Sequence, residues 1–269
     1  MSAEQPLTPE QLARQAREHL ESLRAAGVEW LPTAPPPAVV VTAASPSLPV
    51  VTEPAPVREA LFAADEARSA GDSLTLQQRQ AALAALAQRV SQCMRCAQLA
   101  STRTQTVFGV GALDPDLCFL GEAPGADEDR KGEPFVGAAG QLLNRIIAAC
   151  GMKREEVYIC NILRCRPPGN RLPLADEAAN CRDYLDQTLE LVRPKFLCCL
   201  GACAAQNLLG TTLSVGRLRG AFHEFRGITV AVTYHPAYLL RNEAAKKDVW
   251  EDMKKLLARM GKPVPGAKK

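Results

Sequence analysis

Apolar positions in this chain fall into short unbroken runs separated by segments of helical period. Leu117–Leu120, Val157–Ile162, Phe196–Leu200 and Ile228–Thr233 are such runs, with the length and composition of strands buried on both faces. Between them, Ala138–Cys150, Ala175–Val192 and Ala202–Leu209 carry apolar residues at helical spacing, and an amphipathic helix is predicted from about Ala245 to Met260. Strands alternating with helices predict an α/β fold whose parallel sheet is covered on both faces. A helix starting near Ser73, with Leu74, Leu76, Leu83, Leu86 and Val90 as its apolar residues, leads into this region and runs to Cys93-Met94-Arg95-Cys96.

Upstream the pattern changes. Thr8–Ala26 reads as a helix with Leu12, Ala16, Leu20 and Leu23 on one face, Pro9 in its first turn and Gly27 at its end. Residues 31–56 hold eight prolines and hardly any charge, which disfavours a helix and supplies few large side chains for a core. The expected organisation is an N-terminal helical appendage (1–30), a Pro/Ala-rich flexible linker (31–72), a folded domain (73–262) and a basic tail (263–269). The appendage serves solubility or, with less weight, docks a partner protein.

Charge sharpens the division. Residues 1–90 carry 7 Arg and no Lys against 10 acidic residues, whereas residues 91–269 carry 25 basic against 19 acidic residues. The second part, at +6, suits an anionic partner. The sequence has no apolar run long enough to span a membrane, and its start lacks the basic and apolar regions of a secretory signal. A cytoplasmic protein without a membrane partner is expected, monomeric by default. Ten cysteines in a reducing compartment then point to metal binding or plain burial rather than to disulfides.

Six of those cysteines (Cys118, Cys150, Cys160, Cys198, Cys199 and Cys203) stand in apolar strand or helix runs and read as core. Cys93, Cys96, Cys165 and Cys181 have polar neighbours. Four thiolates suit tetrahedral zinc or a [4Fe–4S] cluster, and the basic neighbours Arg95, Arg164, Arg166 and Arg182 would offset their charge without favouring either.

Candidate chemistry gathers at the predicted strand ends, where ligands bind in open α/β sheets. The run Leu117–Leu120 stops at Gly121, and the sequence continues as Glu122-Ala123-Pro124-Gly125, a charged run Asp127–Lys131, and Phe135 between Pro134 and Val136. A connector has no use for that aromatic. Asn161 is the one amide in VYICNI, and its side-by-side donor and acceptor match O4 and N3–H of uracil, while cytosine presents the reverse pattern. A backbone tie within the fold is the plainer role for it. His235 precedes Pro236 at the end of the last strand and is one of only three histidines. After it, Tyr238, Leu239 and Leu240 read as an apolar tip beside Arg241, suited to entering a DNA stack, or as the first turn of a packing helix.

The combination GEAPGADEDRKGEPFVG, VYICNILRCRPPGNR and HPAYLLR, with the four cysteines, resembles the iron–sulfur (family 4) uracil-DNA glycosylases over about Ser73–Lys262. The resemblance implies a three-layer α/β/α sandwich around a four-stranded parallel sheet, and a [4Fe–4S] cluster on Cys93, Cys96, Cys165 and Cys181. It implies hydrolysis of the N-glycosidic bond of flipped-out deoxyuridine in DNA, in base excision repair. Phe135 would stack on the uracil, Asn161 would read its edge, and His235 would stabilise charge on the departing base. Ala123 would line the pocket, Glu128 would exclude the thymine methyl, and Leu239, Leu240 and Arg241 would form the DNA wedge. Glu122 is the nearest acid to activate water. A non-hydrolytic iron–sulfur protein that binds uracil-DNA covalently is the alternative; its Arg-Arg-Ile-His loop has no counterpart in RCRPPGNRLPLADE.

Overall fold

Alternation within each apolar run explains how the sheet is covered. The computed structural model describes residues 74–265; the expected helix at Thr8–Ala26, the linker and the end of the tail lie outside the described residues. Strands β1 (Val110–Gly111), β2 (Leu117–Gly121), β3 (Tyr158–Asn161), β4 (Phe196–Leu200), β5 (Phe222–Phe225) and β6 (Ile228–Thr233) form one sheet in the order β1-β3-β2-β4-β6-β5. The central four strands, β3, β2, β4 and β6, are mutually parallel, as expected. Two short antiparallel strands, β1 on β3 and β5 on β6, finish the edges.

Leu117, Phe119, Ile159, Cys198 and Ala231 face one side. There they pack against α4 (Ala138–Ala149), α8 (Pro236–Arg241) and α9 (Lys246–Arg259). Cys118, Leu120, Cys160, Leu197, Cys199 and Val232 face the other, against α5 (Ala175–Val192), α6 (Ala202–Leu209) and α7 (Val215–Leu218). A period of two within runs that are buried throughout gives the sandwich its three layers. Val264 packs on the first of these cores, so the folded unit extends past Lys262.

Helix α1 (Leu76–Ser91) opens with a capping box, in which the Gln78 backbone N–H donates to Thr75 Oγ1 and Thr75 N–H to Gln78 Oε1. The turn holding Cys93 and Cys96 separates it from α2 (Ala97–Thr102). The charged stretch after β2 is a helix, α3 (Ala126–Lys131), closed by Gly132 in the left-handed conformation. Its acids do not all face water: buried Asp129 accepts the backbone N–H groups of Thr104 (2.9 Å) and Gln105 (3.4 Å).

Candidate active site

Parallel register brings four strand ends to one edge, and the cavity lies there. Gly121 of β2 is paired with Asn161 of β3, and Leu200 of β4 with Thr233 of β6, two residues before His235. Beyond these ends opens a cavity of about 470 Å³, lined by Glu122, Ala123, Glu128, Phe135, Asn161, His235 and Arg241 among others. Seven residues singled out from sequence thus meet in one place.

Small residues make the meeting possible. A Cβ on Gly121 would come within 2.3 Å of Asn161 Oδ1 and 2.6 Å of the Phe135 ring, so both side chains lie directly over this strand end. Phe135 itself has φ 54°, a left-handed conformation that is unusual for an aromatic and typical of functional positions. Close contacts hold it there: a Cβ on Gly140 would sit 1.9 Å from the Phe135 carbonyl oxygen, and Arg154 donates to the carbonyl of Pro134 at 2.6 Å. Glu128 adds the strongest tie. Its carboxylate accepts the backbone N–H groups of Val136 and Gly137, both at 2.9 Å, and of Gly125 at 3.1 Å, which fixes the loops on either side of α3.

Asn161 is 2% exposed and its Oδ1 has no hydrogen-bond partner. A buried carbonyl oxygen left without a donor is costly, and in a cavity wall it marks where a ligand N–H belongs. His235 stands across from it, its ring 5.5 Å from that of Phe135 and tilted by 33°. The Ala237 backbone N–H donates to His235 Nδ1 at 3.1 Å, so the neutral ring carries its proton on Nε2. Burial, reinforced by the nearby Arg241 charge and opposed by Glu128, pulls the imidazole down to about 4. The end of β6 is anchored beneath it, where Thr233 donates to Asp252 at 2.7 Å. Burial also raises the Glu122 carboxyl above its ordinary range, toward the values useful in a general base.

We expect His235 to stay in its Nε2–H neutral form from pH 8 down to about pH 5, as followed by imidazole nitrogen chemical shifts. A midpoint near the ordinary value of about 6.5 would contradict the geometry. By linkage, the unfolded chain binds a proton between about pH 6.5 and 4 that the folded chain does not, so the fold loses stability as pH falls through that window.

The wedge expectation needs correction. Leu239 is 1% exposed and belongs to the core beneath α8. Successive helical residues point about 100° apart, so three in a row cannot form one tip. Leu240, at 44% exposed, and Tyr238 remain at the surface, with Tyr238 stacked on Tyr234. Sequence reasoning also gave no role to Asn170, Arg171 and Leu172, which line the cavity mouth. The turn residues Pro167-Pro168-Gly169, which place a loop just after the strand that carries Asn161, were the available signal.

The four polar-context cysteines sit just behind this wall. Cys96, Cys165 and Cys181 gather with Leu99, Leu163 and Ala123, and Ala123 also lines the cavity. Cys93 packs in the adjoining group beside Leu86, Val90 and Tyr184, within electrostatic reach of Cys165. Arg103, unnoticed in the sequence, donates to Cys165 Sγ at 3.1 Å and to the Cys93 carbonyl at 2.7 Å, while Asn180 Nδ2 lies 3.5 Å from Cys96 Sγ. These donors suit sulfur in its thiolate form. Among the described residues no three ligating side chains close on a point that would hold a single metal ion.

The chain is similar to known proteins over this region. The family model described as the uracil DNA glycosylase superfamily matches residues 108–254. The type-4 uracil-DNA glycosylase of Archaeoglobus fulgidus is 42% identical over 190 residues, which is 67% of this chain and 94% of that protein. That of Thermotoga maritima is 41% identical over 174 residues, 63% of this chain and 90% of its own length. The Saccharolobus solfataricus protein of the same name is 39% identical over 180 residues, 64% and 83% of the two chains. The family model covers the strand ends, the cavity residues, Cys165 and Cys181, and by these matches this chain belongs to the uracil-DNA glycosylase superfamily, in its type-4 branch.

Proposed function

We propose that this chain is a uracil-DNA glycosylase of DNA repair, a monofunctional hydrolase that releases uracil and leaves an abasic site, and that the cavity beyond β2, β3 and β6 receives the flipped base. The observation that carries the assignment of the site is the orphaned Asn161 Oδ1 in its wall. Uracil N3–H supplies the missing donor, and the adjacent Nδ2 donates to O4. Extruding the base costs a few kcal/mol, and stacking on one aromatic returns about 1–3 kcal/mol. Phe135 therefore about balances extrusion, and selection falls to Asn161 and the walls. Glu128, held rigid by its three backbone bonds, stands where the thymine methyl has to be excluded.

Cleavage moves negative charge onto the departing uracil and positive charge onto the sugar. His235 Nε2–H is a neutral donor aimed at O2, and it gains strength only as that charge develops, which lowers the barrier. Glu122, raised by burial and lining the same cavity, is the group assigned to orient or deprotonate the attacking water. Exposed Tyr238 and Leu240, with Arg241 at the rim, remain to fill the gap left in the DNA stack.

The same reading assigns a [4Fe–4S] cluster to Cys93, Cys96, Cys165 and Cys181. The thiol-facing donors of Arg103 and Asn180 support it, as does the family's type-4 character. Once bound, the cluster would cross-link the α1–α2 turn, the segment after β3, and α5. Catalysis belongs to residues 73–262, acting as a cytoplasmic monomer that reaches the nucleoid through DNA. Purified protein should be brown, with about four irons per chain. Cys165→Ala should lose iron and much of its thermal stability. A colourless zinc protein of full activity would contradict the cofactor assignment.

A further inference from the structure

A lone exposed leucine asks for no explanation, but Leu172 stands at the cavity mouth on a loop that is tightly held. It is 68% exposed and lines that mouth with Pro167, Asn170 and Arg171. The loop between β3 and α5 turns through Gly169 and Asn170, which both take the left-handed conformation, at φ 63° and 55°. Asn170 Oδ1 accepts Arg166 Nε at 2.8 Å, and the Asn170 backbone N–H donates to the Pro167 carbonyl at 3.0 Å.

Arg171 supplies the main brace. Its Nη1 and Nη2 donate to the two carboxylate oxygens of buried Glu177, at 2.8 and 2.6 Å. Nη1 also donates to the Leu172 carbonyl at 3.0 Å, and Glu177 accepts the Leu174 backbone N–H at 2.9 Å. The backbone on either side of Leu172 is thus tied to one carboxylate, while its side chain is left in water. Ordering an apolar side chain in water gains nothing until a partner covers it.

Position and charge identify the partner. In the sheet, β2 and β4 separate β3 from β6, so the loop after β3 and α8 after β6 reach the cavity from opposite flanks. Leu172 comes from one flank and exposed Tyr238 from the other. With strands about 4.8 Å apart, three spacings put the flanks about 14 Å apart at the sheet, which leaves room for a nucleotide between them. Arg166 bonds a neutral amide and Arg241 stands at the same mouth, so positive charge accompanies both apolar tips, as a strand of phosphates requires.

We propose that Leu172 is a DNA-contacting residue that packs against the nucleotide next to the flipped deoxyuridine, from the flank opposite α8. This rests on the functional reading above. The two flanks then grip the strand on both sides of the extruded base, and Leu172 assists extrusion without touching the uracil.

The test compares the full-length parental protein, Leu172→Ala and Leu172→Met in three measurements. These are affinity for a non-cleavable uracil analogue in duplex DNA, fluorescence of a 2-aminopurine placed beside that analogue, and affinity for free uracil. Leu172→Ala should weaken DNA binding about tenfold and lower the 2-aminopurine signal of the bound complex. Its free-uracil affinity and melting temperature should stay at parental values, because the side chain is already in water in the unbound protein. Leu172→Met, of similar volume, should restore most of both losses. Parental DNA affinity and fluorescence in Leu172→Ala would overturn the proposal. An equal loss of free-uracil affinity would overturn it as well, by making Leu172 a wall of the base cavity. A parental protein that neither cleaves uracil-containing DNA nor binds the analogue would refute the functional reading on which the proposal stands, which the parental arm detects separately.

Discussion

His235→Ala should cut single-turnover cleavage of a uracil-containing oligonucleotide about 100- to 1,000-fold while binding of the same DNA changes only a few-fold. Removing one preorganised donor from a developing oxyanion costs about this much in well-studied sites, equivalent to about 2.7–4 kcal/mol of transition-state stabilisation. Binding is spared because the O2 of intact deoxyuridine carries little charge before the bond breaks. Two side effects separate from the rate. The ring caps α8 through Ala237 N–H, so the variant should also melt earlier by the worth of a cap, about 1 kcal/mol. It also flanks Phe135, so a cavity opens beside the stacking ring. Neither affects chemistry in preference to binding. If His235→Ala cleaved at the parental rate while binding collapsed, the imidazole would be a positioning group and the electrostatic mechanism would be wrong.

Asn161→Asp should reduce the preference for uracil over cytosine by about 100-fold. The ionised carboxylate has no donor for O4, so uracil loses one hydrogen bond and gains a repulsive contact in a buried position. A protonated carboxyl, by contrast, offers the arrangement that cytosine needs. Burial favours that protonated form, and the residual cytosine cleavage should therefore grow as pH falls. Paired uracil and cytosine oligonucleotides cleaved at two pH values measure the effect. An unchanged preference would return Asn161 to the role of a backbone tie within the fold.

The elements legible in the sequence were those whose own side chains make the core. Strands β2, β3, β4 and β6 are apolar throughout because helices cover both faces, and their runs name them directly. Helix α3 escaped notice because Asp127–Lys131 has no apolar stripe; only Gly125 and Gly132 at its ends were informative. The edge strands β1 and β5 are short and half-exposed, so no run marks them. Among site residues, Phe135, Asn161 and His235 stood out as unusual chemistry at strand ends. Their supports did not, since the reach of Glu128 to Val136 and Gly137, or of Arg103 to Cys165, depends on how distant segments fold together. The apolar string Tyr238-Leu239-Leu240 misled for a related reason, because composition does not say which residue of a helical turn faces inward.

Burial likewise revises how the cysteines are understood. Cys165 and Cys181 have polar sequence neighbours, yet each is only 6% exposed. Of the four arginines named for charge balance, Arg166 and Arg182 bond Asn170 and Asp186, and Arg95 reaches Asp183 and the Tyr184 ring. The unforeseen Arg103 reaches the Cys165 sulfur, whereas Arg164 bonds the Asn161 carbonyl and Thr188.

The account as a whole turns on where uracil sits, and a structure of the protein with free uracil tests that most directly. Uracil should lie on the Phe135 ring, with N3–H within hydrogen-bond distance of Asn161 Oδ1, O4 facing Nδ2 and O2 facing His235 Nε2. Uracil bound elsewhere, or Asn161 turned away from its edge with Oδ1 still unpaired, would contradict it.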